Sequence, residues 1–227
     1  FTVEAPAAIQ TKAIADGLNV DELVYEVWLT PTIGTLDRAQ KLYRSTTPMK
    51  VEGGVNKATL SLDLVNDQKF AVLFWAQKGG TNFYNTDNLT SVYYNSTAAD
   101  AYEANDDRLA AFYAVAYVDD CQHVTESGNP TGSEVTLTRP FAQINLGTVN
   151  TSTEVGSTTG YTIVVEQSNM IIEEVPTQFN VFSSEVSEYQ TIQFKMNAVP
   201  CKDLTSADAK LPGFENPSYW YAGMNYV

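Results

Sequence analysis

Over residues 57–64 apolar and polar positions alternate without a fault: Ala58, Leu60, Leu62 and Leu64 fall on one side, Lys57, Thr59, Ser61 and Asp63 on the other. A period of two puts successive side chains on opposite faces of an extended chain, so this stretch predicts a strand with one face on a core and the other in water. Gly53-Gly54 before it tolerates the positive φ of a tight turn, and Asn66-Asp67 after it makes another break. Residues 70–76, Phe-Ala-Val-Leu-Phe-Trp-Ala, have no polar position at all. Such a run, too short for a buried helix, predicts a central strand covered on both faces.

The same reading predicts a strand over 23–29, stopping before Pro31, and another over 110–118, where the alanines leave a helix in competition. The one helical candidate is residues 97–104, with Thr97 as its cap. Residues 134–146 read as a strand pair or a bent strand interrupted at Arg139-Pro140, because proline has no N–H to give to a ladder. Residues 147–160 contain no aromatic side chain and are dominated by Thr, Ser, Asn and Gly, the composition of a linker or long surface loop. Further strands are expected at 161–165, 178–182 and 191–197.

The expected organisation is therefore all-β: a first sandwich domain over 1–147, a linker over 148–160, and a second domain over 161–227. A sandwich of this kind needs about seven strands. The second domain is thus expected to be incomplete, its last apparent strand being cut at Val227.

Charge narrows the partners. A net −14, from 27 acidic against 13 basic residues, repels phosphate backbones and anionic lipid, so nucleic acid is not expected as a partner. No run is long and apolar enough to cross a bilayer, and the first residues lack the pattern of a signal peptide, so any export signal is expected to have been removed. Many Thr, Asn, Tyr and Ser beside few Lys and Arg suit an exported surface β-protein.

Candidate chemistry is sparse. His123 is the lone histidine, and a hydrolytic triad needs a nucleophile, a base and an orienting group. Cys121 and Cys201 give neither a disulfide framework nor a zinc spacing, and their bonding is left open. Asp106-Asp107 and Asp119-Asp120 are paired carboxylates without the loop that completes a Ca²⁺ site, and read as solvated strand ends. No glycine-rich phosphate cradle occurs, so no cofactor and no metal are expected, and the chain reads as not an enzyme. Tyr84, Tyr93 and Tyr94, interleaved with asparagines, are the candidates for stacking on sugar rings; their alternative is to cover the flank of the sandwich.

Four segments in order resemble the Bacteroides-type fimbrillin family. They are Thr11-Lys12-Ala13-Ile14 followed by the strand around Val24 to Trp28, the apolar run from Phe70, Asp106-Asp107-Arg108 ahead of Phe112, and Leu137-Thr138-Arg139-Pro140-Phe141-Ala142-Gln143-Ile144. The resemblance implies tandem transthyretin-like (Greek-key) β-sandwich domains and a lipoprotein precursor exported to the outer membrane and assembled on the cell surface. It also implies strand exchange: a protease removes an N-terminal strand after a basic residue, and a strand of a neighbouring fimbrial subunit fills the groove. Lys12 is the candidate processing residue, with Arg38 and Arg44, in a loop rich in Thr and Pro, as alternatives. Five inward side chains on the exchanged strand would contribute roughly 8–15 kcal/mol before ordering costs. The implied role is a stalk, anchor or tip subunit contributing to adhesion to surface receptors or glycans. The alternative is a monomeric surface lipoprotein that binds glycan.

Overall fold

Strands carry nearly all the regular structure of the computed structural model, which describes residues 1–5, 20–95, 107–119, 134–141, 146–148, 154–156, 162–164, 168–196 and 218–220. In chain order they are β1 (Thr2–Glu4), β2 (Glu22–Leu29), β3 (Gln40–Pro48), β4 (Lys50–Glu52), β5 (Val55–Thr59), β6 (Phe70–Gln77), β7 (Tyr84–Asn85) and β8 (Val92–Tyr94). There follow β9 (Phe112–Val118), β10 (Glu134–Thr136), β11 (Leu146–Thr148), β12 (Glu154–Gly156), β13 (Thr162–Val164), β14 (Ser168–Asn180), β15 (Glu185–Met196) and β16 (Ser218–Trp220). Among the described residues the one helical element is a 3₁₀ turn, Asp107–Leu109.

Three four-stranded sheets result, in the orders β3-β2-β6-β9, β10-β1-β5-β4 and β15-β14-β8-β7, with two further two-stranded ladders, β11-β16 and β12-β13. The first is the central layer. Every residue of β6 is buried, and alternation along the strand explains why. Phe74 turns to one side and meets the ring of Phe1 in the β1 sheet at 6.0 Å. Trp75 turns to the other and meets Tyr84 at 5.2 Å, Phe179 at 6.0 Å and Phe141 at 6.4 Å. The polar-free run of the sequence is thus a strand with a sheet on each face, as all-apolar patterning requires.

A carboxylate is also built into this layer. Glu26 of β2 is fully buried, and its oxygens accept hydrogen bonds from Lys41 Nζ and the Leu89 N–H, both at 3.1 Å, and from Trp28 Nε1 at 3.0 Å. A buried charge is tolerable only with such partners, and these tie β2 to its neighbour β3 and to the loop between β7 and β8.

The predicted strand over 57–64 is regular only as β5, but its alternation continues past the ladder: Leu60 is buried and Leu62 and Leu64 are half-buried. The β4–β5 hairpin closes at Glu52↔Val55 over Gly53 and Gly54, at φ 62° and 85°, the paired positive φ of a tight hairpin turn. Residues 112–118 form a strand rather than the competing helix, because a seven-residue ladder with β6 fixes them as extended. The helical candidate 97–104 lies outside the described residues.

Beyond residue 146 the structure differs from the expectation in two ways. Strand segment β12 falls inside the stretch 148–160 read as a linker, and β11 ends at its first residue. The hairpin of β14 and β15 runs far longer than the strands expected at 178–182 and 191–197, with a bulge between Ile172 and Val175. Its β14 also pairs with β8, Phe179 opposite Val92, and delivers Phe179 and Val181 to the buried cluster that contains Trp75. The far side of the expected linker thus shares the core of the near side.

Candidate functional site: the seat of the first strand

The first residues alternate Phe1, Val3 and Ala5 against Thr2 and Glu4, and the structure uses both faces. The strand lies between two others, antiparallel to β5 (Thr2↔Thr59, Val3↔Ala58, Glu4↔Lys57) and parallel to β10 (Thr2↔Glu134, Val3↔Val135, Glu4↔Thr136). Its ends are fastened by Leu60 N–H to Phe1 O at 2.8 Å, Ala5 N–H to Asn56 O at 2.9 Å and Leu137 N–H to Glu4 O at 2.9 Å. Inward, Val3 and Ala5 are buried and Phe1 is half-buried. Outward, Glu4 pairs with Lys57, and that charge-assisted hydrogen bond raises the Lys57 pKa.

Removing β1 would leave β5 and β10 about 9–10 Å apart, twice the ordinary strand spacing. The gap would present unpaired N–H and C=O groups along both walls. It would also uncover an apolar floor from Ala58, Leu60, Leu137 and Phe74, all buried, and half-buried Val135. Three inward side chains of this chain, Phe1, Val3 and Ala5, occupy it, an apolar contribution on the order of 4 kcal/mol.

The three candidate processing residues separate cleanly on this geometry. Lys12 lies outside the described residues, but in the sequence it is the sole Lys or Arg between β1 and β2, so a cut there parts β1 from the strands that follow. Arg38 sits at φ 56° in the turn between β2 and β3. A cut there would take β2 as well, and β2 holds eight paired residues on each side. Arg44 is not in a loop: it lies in β3, its Nε donating to Thr86 O at 2.8 Å and its Nη2 to Thr86 Oγ1 at 2.9 Å.

Two of the three sugar-stacking candidates are not exposed. Tyr84 is buried, its hydroxyl donating to Leu109 O at 2.7 Å and its ring against Trp75; the asparagines beside it marked a turn, not an exposed ring. Tyr94 is half-buried against Tyr84, at 5.9 Å. Tyr93 alone is exposed, at 43%. Asp119 pairs with Lys69 at 2.7 Å, while Asp106, Asp120, Cys121, His123 and Cys201 lie outside the described residues. Among the described residues no three His, Cys, Asp or Glu side chains come together, and no helix is long and apolar enough to cross a membrane.

An all-β chain whose first strand is enclosed between two strands of a sandwich sheet is the class that fold and site define. The chain belongs to the family of unknown function DUF6562, whose model matches residues 1–213. No curated protein matches it in sequence. Among solved structures it is loosely similar to a proposed polysaccharide-binding protein (DUF1812) of Bacteroides thetaiotaomicron, at 13% identity over 88% of this chain and 68% of that one, with a TM-score of 0.45. A fimbrial assembly protein of Parabacteroides distasonis matches at 11% identity over 100% of this chain and 86% of that one, TM-score 0.45. A proposed adhesin of Bacteroides ovatus matches at 10% identity over 88% and 62%, TM-score 0.37.

Proposed function

We propose that the chain is a structural, non-catalytic subunit of a cell-surface fimbria, exported as a lipoprotein precursor and joined to neighbouring subunits by exchange of its first strand. The observation that carries this is the seat of β1: a three-residue strand enclosed in a sheet, followed by a single basic residue before the rest of the fold begins. After cleavage at Lys12 an incoming strand would meet two unpaired strand edges and an apolar floor, and backbone pairing would give affinity while inward side chains give specificity. No cofactor enters the scheme. The alternative of a monomeric glycan-binding lipoprotein loses Tyr84, one of its three tyrosines, to the core and half-buries Tyr94.

Limited trypsin digestion tests the reading. The expected result is a first cut at Lys12, a body that keeps its β-rich circular dichroism, and growth of that body into ladders on unheated gels and filaments by negative stain; Lys12→Ala should stay uncut there and monomeric. A clipped body that unfolds, or that stays folded and monomeric at high concentration, would sink the proposal.

A further inference from the structure

The sheet β15-β14-β8-β7 covers the central layer with one face, and side chains of its other face, Tyr93 and Tyr189 among them, reach solvent. Burial along β14 shows which is which: Val175, Thr177 and Phe179, and Val181 just past its end, are buried, while Pro176 and Gln178 between them are half-buried. Cross-strand partners share a face, so Tyr93 of β8, opposite Gln178, and Ser187 of β15, also opposite Gln178, stand in one row on the outer side. Tyr189, opposite Pro176, stands on that side one pleat further along β15. The two tyrosines are 43% and 57% exposed. Asn85 of β7, opposite Tyr93, prolongs the row.

Between the rings the amide of Gln178 is held on both sides. Its Nε2 donates to Ser91 Oγ at 2.5 Å and its Oε1 accepts from Ser187 Oγ at 2.6 Å. A side-chain amide has two N–H groups and two acceptor lone pairs, so one N–H and one lone pair remain beyond these two bonds, which fix the plane of the amide. Strand spacing and rise place the Cα atoms of Tyr93 and Tyr189 about 12 Å apart, a span wider than one pyranose ring.

We propose that this outer face is a platform for an uncharged glycan chain, with sugar rings stacked on Tyr93 and Tyr189 and the Gln178 amide bonding a hydroxyl between them. Tyrosine faces suit the C–H side of a pyranose and the amide suits its hydroxyls. No cation lies in the row itself. Exposed carboxylates bound it, Glu185 near the hairpin turn and Glu173 and Glu174 at the bulge. With the net charge of −14 these repel anionic polymers while still accepting hydroxyl hydrogen bonds. The platform is independent of the seat of β1, and a failure of either leaves the other standing.

The test is native affinity electrophoresis of the intact, unclipped chain in gels containing mixed-linkage β-glucan, xylan, mannan or dextran, with polygalacturonate as the anionic comparison. The expected result is retardation by at least one neutral glycan and not by polygalacturonate. Tyr93→Ala and Tyr189→Ala should each weaken it about five-fold, whereas Tyr189→Phe, which keeps the ring, and Tyr43→Ala, an exposed tyrosine of another sheet, leave it unchanged. Because Tyr93 and Tyr189 are exposed, unchanged thermal melts are expected of their three variants. Absence of retardation in all four neutral gels, retardation by the anionic polymer alone, or retention of full binding in both alanine variants overturns the proposal.

Discussion

Strands β1 and β2 occupy equivalent places, each between two hydrogen-bonded neighbours, yet they are held on different scales. Three residues of β1 pair with each neighbour, and the one buried side chain within it is Val3, followed by buried Ala5. Eight residues of β2 pair with each of its neighbours, and Leu23, Val24, Val27 and the carboxylate of Glu26 are all fully buried. A central position in a sheet therefore does not make a strand indispensable; the length of its ladder and the depth of its side chains do. One strand is a tenant of its sheet, the other its frame.

The largest effect should come from the frame. Trp75→Ala, in β6 with both flanking sheets resting on that strand, should cost about 3–5 kcal/mol, a large part of the stability of an ordinary domain. The measurement is the shift of the urea midpoint, and a cost below about 1 kcal/mol would mean that the central layer is not the keystone described. Next is Glu26→Ala, which strands the Leu89 and Trp28 N–H groups and the ammonium of Lys41. Discounted for the 34% exposure of that lysine, the loss should be about 2–3 kcal/mol, with Glu26→Gln milder because it keeps an acceptor.

The tenant should respond less, and conditionally. Val3→Ala removes two buried carbons from the groove and should cost about 2 kcal/mol in the intact chain. After cleavage at Lys12 the same substitution should instead speed loss of the fragment 1–12, followed by gel filtration. If Val3→Ala leaves that release rate unchanged, the grip on β1 lies in its backbone ladder, and the comparison with β2 becomes one of pairing alone.

The unequal legibility of the sequence has the same physical origin. The central strand β6 and the flanking strand β5 with the residues after it were readable because burial on both faces or on one writes all-apolar or period-two patterns, as in the run from Phe70 and in Ala58-Leu60-Leu62. The β14–β15 hairpin was legible only around 178–182 and 191–197, because Glu173, Glu174 and Pro176 interrupt the apolar pattern, whereas in the structure a bulge takes up the two glutamates and the strand continues. Of the two readings open for Tyr84, sugar stacking and cover for the flank of the sandwich, burial favours the second: its hydroxyl finds the carbonyl of Leu109 within the core. The seat of β1 was half legible: Phe1, Val3 and Ala5 announce an inward face, but nothing local says that β5 and β10, far along the chain, close around it.

The smallest expected effect sits at the start of β2 and sharpens the comparison through pH. Burial pushes the Asp21 carboxyl up, but hydrogen bonds from Lys78 and the Gly79 N–H, with the lysine charge, outweigh it and hold the pKa below the ordinary value of 3.8. A depressed folded pKa contributes stability that is present above the unfolded pKa and is lost as pH falls through the folded one. Wild type should therefore lose stability on acidification below pH ~4 slightly more steeply than Asp21→Asn, whose side chain cannot titrate. With the two side chains 35% and 43% exposed, screening limits the difference to about 0.5 kcal/mol. Urea midpoints between pH ~3 and ~6 measure it; identical slopes for the two proteins would mean that this corner of the frame is held by the Gly79 hydrogen bond alone, which asparagine can keep.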